Sequence, residues 1–142
     1  ALYNAAAKDL ALATAIAKAI KAVDPGLYML CLGNSLMVEA AKAEGIPYVE
    51  EAFADRAYTA QGTLVPRKQE GSVIHDPQEV AQRVLQMVRE GQVQSIDGQT
   101  VPITAQTVCV HGDTPGAVEM IKSIRGALDQ AGVQTKAFGL KA

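Results

Sequence analysis

Polar and ionisable side chains collect at three places in this sequence, each just after an apolar run. Asn34 and Ser35 follow the first run. Glu51, Asp55, Arg56 and Tyr58 close the second, and His111 and Asp113 follow the third. In α/β folds ligands bind beyond the C-terminal ends of the strands, so this distribution places candidate chemistry on one face of a sheet. The chemistry on offer is proton transfer and anion binding. Asp55, His111 and Asp113 are groups that can manage protons. Arg56 and Arg67 carry guanidinium forks that match phosphate or carboxylate. Plainer readings stand beside these. Asn34, Ser35, Asp113 and Thr114 suit helix caps. His111 suits a structural histidine, Arg56 and Arg67 suit paired surface charges, and His75 precedes a helix start in a polar stretch. The cluster from Glu51 to Tyr58 is harder to explain structurally, because ionisable groups are costly to gather at a strand end unless something uses them.

Several chemistries lack their spacing here. The two histidines do not sit at i, i+4 from another ligand type, and there is no Cys-x-x-Cys pair, so these residues alone encode no metal site. No Gly-x-x-x-x-Gly-Lys-Ser/Thr loop is present. Ser35 follows a strand without the Gly-x-Ser-x-Gly context of a nucleophile elbow.

The elements that must position these residues alternate. Leu12, Ile16, Ala19, Ile20 and Val23 recur at helical period and predict a helix from about Asn4 to Val23, broken by Asp24-Pro25-Gly26. Leu27 to Leu32 is a continuous apolar run, expected as a strand covered on both faces. A helix to about Glu44 and a strand from Ile46 to Phe53 follow. The stretch from Ala54 to Ile74 has little periodicity, and a loop of that length inside a compact domain is often functional. Asp76-Pro77-Gln78-Glu79 is a helix start, with Val80, Val84, Met87 and Val88 as its inner stripe. A hairpin turned at Asp97-Gly98 is expected over Gln92 to Ile103, then a strand from Thr107 to Val110. Thr114-Pro115 is expected to open a last helix with Ala117, Ile121, Ile124 and Leu128 inward. Val133 to Phe138 is expected as one more strand. The alternation means an α/β fold with mainly parallel strands. It opens on a helix where a βα series should open on a strand, so the chain is expected to be the later portion of a larger domain.

The 142 residues carry a formal net charge of −2 with a pI near 5.7, and Trp is absent. Neither a basic face nor a base-stacking surface for nucleic acid is evident. No apolar run approaches a membrane span, and no secretory signal is visible. Cys31 and Cys109 lie inside apolar runs and read as reduced small hydrophobes of a cytoplasmic protein.

A specific resemblance covers most of the chain. Glu50-Glu51-Ala52-Phe53-Ala54-Asp55-Arg56-Ala57-Tyr58 resembles the E-x-F-A-D-R-x-Y segment of the LamB/YcsF family, and Gly62-Thr63-Leu64-Val65-Pro66-Arg67 its G-x-L-V-P-R segment. His75-Asp76-Pro77 and the run from Cys109 through His111-Gly112-Asp113 to Ala117 are similar to it as well. Ala1-Leu2-Tyr3-Asn4 resembles the residues that follow a K-P-H-G strand end. The resemblance implies part of an irregular β/α barrel of the metal-dependent deacetylase and glycosidase kind. It implies an activity, the ATP-driven cleavage of 5-oxoproline to glutamate in company with B and C subunits. The family's N-x-D-x-G-E and C-G-x-H-x-G-D segments do not occur in these residues, so residues 1–142 are expected to be the C-terminal portion of one barrel domain, inactive alone. The catalytic candidates are then Asp55, His111 and Asp113. The substrate-binding candidates are Asn34, Glu51, Arg56, Tyr58 and Arg67, with Asn34 holding the ring amide; a metal stays uncertain. The competing classes are a non-catalytic module holding an anion on the helix N-termini at Gly33-Asn34-Ser35 and Gly112-Asp113-Thr114, and a metal-dependent deacetylase of the same barrel group.

Overall fold

A computed structural model describes residues 2–113 and 115–139. Helices α1 (Leu2–Ala6) and α2 (Leu10–Val23) precede strand β1 (Met29–Leu32), helix α3 (Leu36–Glu44) and strand β2 (Tyr48–Phe53). A long loop leads to α4 (Pro77–Glu90). The hairpin strands β3 (Gln92–Gln94) and β4 (Thr100–Pro102), then β5 (Thr107–Cys109) and α5 (Ala117–Gln130), complete the order. Strands β1, β2 and β5 form a parallel sheet in the order β1-β2-β5, with the antiparallel hairpin apart from it. The α/β class with mainly parallel strands is therefore as expected.

Local chemistry explains most boundaries. The expected first helix is two helices, because Asp9 leaves helical geometry and its carboxylate accepts the Leu12 N–H at 3.0 Å. Helix α2 meets α3 through Ala13, Ala17, Ala40 and Ala41, all fully buried, while Leu12, Ile16 and Ile20 flank that seam. Small residues let the two helices approach closely. Asp76 caps α4 by accepting the N–H groups of Gln78 and Glu79, and Val80, Val84 and Met87 are buried as expected. One apolar cluster joins α1, α2, α3, β1, β2 and the hairpin, and a second packs α4 and α5 against Val108 and Val110.

Four expectations need correction. The first strand is not covered on both faces: Leu30 is 40% exposed, because nothing packs over the outer side of that edge strand among the described residues. The last helix opens at Ala117 behind Gly116, whose left-handed backbone (φ 83°) serves as the cap; Thr114 lies outside the described residues. Its inner face uses Met120 in place of Ile121, which is exposed. Residues 133–138 form no strand, and Phe138 instead tilts against the Tyr28 ring.

No helix among the described residues is long and apolar enough to cross a membrane. The segment between β4 and β5 crosses close to the end of β1: a Cβ on Gly33 would collide with the Thr104 carbonyl oxygen, which is backbone and cannot swing away. Replacing Gly33 with Ala is expected to destabilise the fold by about 1–3 kcal/mol, as overpacking does. Urea unfolding of the substituted protein checks this, and an unchanged midpoint would show that the segment around Thr104 yields freely.

Candidate active site

Parallel register builds the centre of the site. Phe53 on β2 pairs with Cys109 on β5, and the Ala54 N–H donates to the Cys109 carbonyl at 3.0 Å. Two residues beyond each paired position stand Asp55 and His111, so the register alone puts them side by side. The His111 Nδ1 lies 2.8 Å and 3.0 Å from the two Asp55 carboxylate oxygens. The Asp55 side chain is 1% exposed and that of His111 20%. With Asp55 ionised, Nδ1–H is the donor, and in the neutral imidazole the lone pair then lies on Nε2. The Phe53 ring stacks on the imidazole, with centroids 5.3 Å apart and planes at 24°, and Tyr3 meets Phe53 edge-on at 5.7 Å.

The 54–74 loop is tied rather than loose, and Arg56 ties it. Its guanidinium donates to the Val65 carbonyl at 2.6 Å and the Ser72 carbonyl at 3.2 Å, and its own carbonyl accepts from Arg83 at 3.1 Å. Backbone bridges Arg56–Val73 and Tyr58–Leu64 close the same loop. Arg56 is 3% exposed. Burial, then the Arg67 charge nearby, push its pKa below the usual guanidinium value. Arg67 itself is exposed, so these two are not a pair of surface charges.

Two cavities meet at this point. One, of about 450 Å³, is lined by Tyr3, Asn4, Phe53, Arg56, Leu64, Arg67 and His111. The other, of about 180 Å³, reaches from Asp55 and His111 past Arg56 and Arg67 to His75 and Asp113. Larger hollows along α4 (about 840 Å³) and between β5 and α5 (about 650 Å³) contain no histidine. Beside the first cavity, burial raises the Glu51 pKa above the ordinary carboxylate value, while Tyr3 and the His111 charge pull it down. The Tyr3 hydroxyl is buried next to this carboxylate, and the two stop short of good hydrogen-bond geometry.

Asp55, Arg56, Arg67, His111 and Asp113 thus come together, with Glu51 at their edge. Two candidates do not join them. Asn34 belongs to the hairpin side: its N–H donates to Glu50 Oε2 at 2.9 Å and its side-chain amide to the Pro102 carbonyl at 3.3 Å. Glu50 and Glu51 are successive strand residues and point to opposite faces. Tyr58 is fully buried, and its hydroxyl accepts the Phe53 N–H at 2.8 Å, so it supports the site from beneath. Tyr3 and Phe53 line the first cavity and His75 the second, and none of the three is among the site candidates read from the sequence. The signal for Phe53 was present, since it precedes Asp55 by two and shares its face. Tyr3 is marked only by the resemblance of Ala1-Leu2-Tyr3-Asn4 to the residues after a K-P-H-G strand end, because a tyrosine on a short helix carries no local mark of what it will meet.

The anion-module reading loses one of its seats here. Glu50 already occupies the Asn34 N–H ahead of α3, and Ser35 caps that helix by accepting from Met37 N–H. Among the described residues no three His, Cys, Asp or Glu side chains gather to hold a metal ion.

Residues 1–141 match the LamB/YcsF family. The chain belongs to that family. It is 49% identical over 141 residues to the A subunit of a 5-oxoprolinase from Pseudomonas syringae pv. tomato, covering 99% of this chain and 55% of that protein. The A subunit of a 5-oxoprolinase from Coprothermobacter proteolyticus is 52% identical over 134 residues, covering 94% of this chain and 51% of the relative. The crystal structure of a lactam utilization protein from Thermus thermophilus superposes with a TM-score of 0.87 at 46% identity, covering 96% of this chain and 54% of that one. The chain therefore spans about half the length of the family members it matches.

Glu51 provides a test of the site's electrostatics. Its folded pKa lies above the unfolded value, so the fold favours the protonated carboxyl. Stability from this group is complete below the unfolded pKa and is lost as pH rises through the folded one. Glu51→Gln should therefore stabilise the protein at neutral pH, with the gain shrinking towards zero at acid pH. Unfolding midpoints measured from about pH 4 to about pH 8, a window that brackets the titration of a raised carboxyl, check this. A gain independent of pH would mean that burial of the charge is not the cause.

Proposed function

We propose that these residues are the C-terminal portion of the A subunit of an ATP-dependent 5-oxoprolinase, a cyclic-amide hydrolase that works in the cytoplasm with B and C subunits. An N-terminal half, in this reading, completes a β/α barrel around the sheet. The observation that carries the proposal is the Asp55–His111 pair at 2.8 Å, facing a cavity that also holds Arg56 and Arg67. The names of the family members and the lactam utilization protein support the choice of a lactam as substrate.

A lactam is a poor electrophile. ATP supplies the activation in this scheme, since a phosphoryl group on the lactam oxygen makes the ring carbon open to water. The cationic walls fit such a group: among the described residues neither Arg56 nor Arg67 has a carboxylate within salt-bridge distance. Their guanidinium groups neutralise charge developing on the oxygen. His111 Nε2 takes the proton from the attacking water, and Asp55 holds the ring in the required tautomer and stabilises the imidazolium. The same proton then goes to the ring nitrogen as the C–N bond breaks, which leaves an acyl phosphate; a second water cleaves that bond and releases glutamate and inorganic phosphate. Asp113 stands at the mouth of the smaller cavity, where an exposed carboxylate can exchange protons with solvent. Asn34 and Tyr58 take no part in this scheme. No step is assigned to a metal.

The test is glutamate release from 5-oxoproline and ATP by three samples: residues 1–142 alone, the full-length protein by itself, and the full-length protein with its B and C partners. Only the third is expected to turn over, and activity in the first would sink the reading. In the active sample Asp55→Asn should lower the rate by roughly 10²-fold or more, as loss of a group that holds a proton-transfer partner does. An unchanged rate would leave Asp55 as a buried structural carboxylate.

A further inference from the structure

A third cavity, of about 470 Å³, lies against the first and shares Asn4, Arg56, Leu64 and Arg67 with it. Its remaining walls bring in Lys8 from the α1–α2 junction and Lys68 from the long loop. Four cationic side chains thus line one hollow, and none of its lining residues is acidic. The only side-chain ion pairs among the described residues are Lys18–Glu44 and His111–Asp55, so none of the four has a carboxylate within 4.0 Å. The Arg56 guanidinium donates only to neutral carbonyls. Leu32, Leu64, Val65 and Pro66 supply the rest of the wall, and apolar walls strengthen a field that water would otherwise screen.

We propose that this hollow is a subsite for a phosphate-class anion, entered from the Lys8–Lys68 side and separated from the Asp55–His111 pair by the two arginines. The charge count selects the class. A lactam acid brings a single carboxylate, which one guanidinium satisfies. Four cations without counter-ions match a group that carries several negative charges. Arginine forks align a tetrahedral anion, and lysines add charge without fixed direction. Two sources share this chemistry: the polyphosphate tail of a nucleotide, and a phosphate monoester or free phosphate. The inference rests on the proposed lactam chemistry only for which group would be transferred. The anion site itself follows from the walls.

The experiment is calorimetric titration of the full-length protein containing these residues with tripolyphosphate, ATP, adenosine, inorganic phosphate and, separately, 5-oxoproline. Tripolyphosphate is expected to bind, with affinity falling as salt is raised. A Lys8→Gln/Lys68→Gln double variant should weaken it by about 10-fold or more, as should Lys68→Glu alone. Lys122→Gln, on α5, should leave it unchanged. Unfolding curves for each variant confirm that the fold survives. If ATP matches tripolyphosphate and adenosine does not bind, the tail is the ligand; if inorganic phosphate binds as well as either, a monoester is. Both outcomes support the subsite. Tripolyphosphate binding that is absent in the native protein, or equal in the native and double-variant proteins, overturns it. Loss of 5-oxoproline binding with tripolyphosphate binding intact would instead count against the lactam reading and leave the subsite standing.

Discussion

One buried cation holds the long loop together. Arg56 sits almost out of solvent, and its guanidinium bridges two carbonyls from separate parts of the loop, those of Val65 and Ser72. Desolvating such a charge is costly, and its neighbour Arg67 adds repulsion rather than relief. The cost is offset locally, by carbonyl dipoles, and by the loop closing around the group. Arg83 extends the tie: it donates to the Arg56 and Gln94 carbonyls, so α4 and the hairpin are fastened to the same point. The closed loop also buries Ala57, Tyr58, Leu64 and Val65, so apolar burial and the buried charge hold it together.

The parts of this architecture that could be read in advance are those set by local chemistry. Caps, glycine stops and apolar periods mark α3, α4 and the hairpin, because each of those signals acts within a few residues. Where tertiary contacts decide, local patterns mislead. Leu30 is as apolar as its neighbours, yet lies on an edge strand with nothing over it among the described residues. Ile121 and Met120 are equally suited to a core, and packing against α4 selects Met120. The segment after Gly132 has the residues of a strand but forms none.

The same distinction runs through the candidate site. That Asp55 and His111 each follow a strand was visible in the sequence. That they touch depends on the register of Phe53 against Cys109, which no local pattern states. A shift of one residue would turn one of the two side chains to the other face of the sheet. Asn34 shows the reverse case. It follows a strand as the others do, but the neighbouring Glu50 faces the hairpin side, captures its N–H, and so commits it to structure. Tyr58 sits within a run of ionisable groups, yet its ring fills the core and its hydroxyl completes the Phe53 N–H.

How Asp55 is used explains why the site is cationic. A buried carboxylate next to an arginine in the chain could have paired with its guanidinium. That pairing would have cancelled both charges and left the imidazole free to rotate. Instead both carboxylate oxygens face His111 Nδ1, and Arg56 turns to backbone carbonyls. Carbonyls orient a guanidinium without neutralising it, so the positive charge is kept on a residue that lines the cavities. One choice of partner therefore produces two properties at once. The imidazole is held through Nδ1, and the arginine wall has no carboxylate partner among the described residues. Either property alone is common in structural networks. Their joint presence around a shared hollow is the feature on which the proposed active site rests.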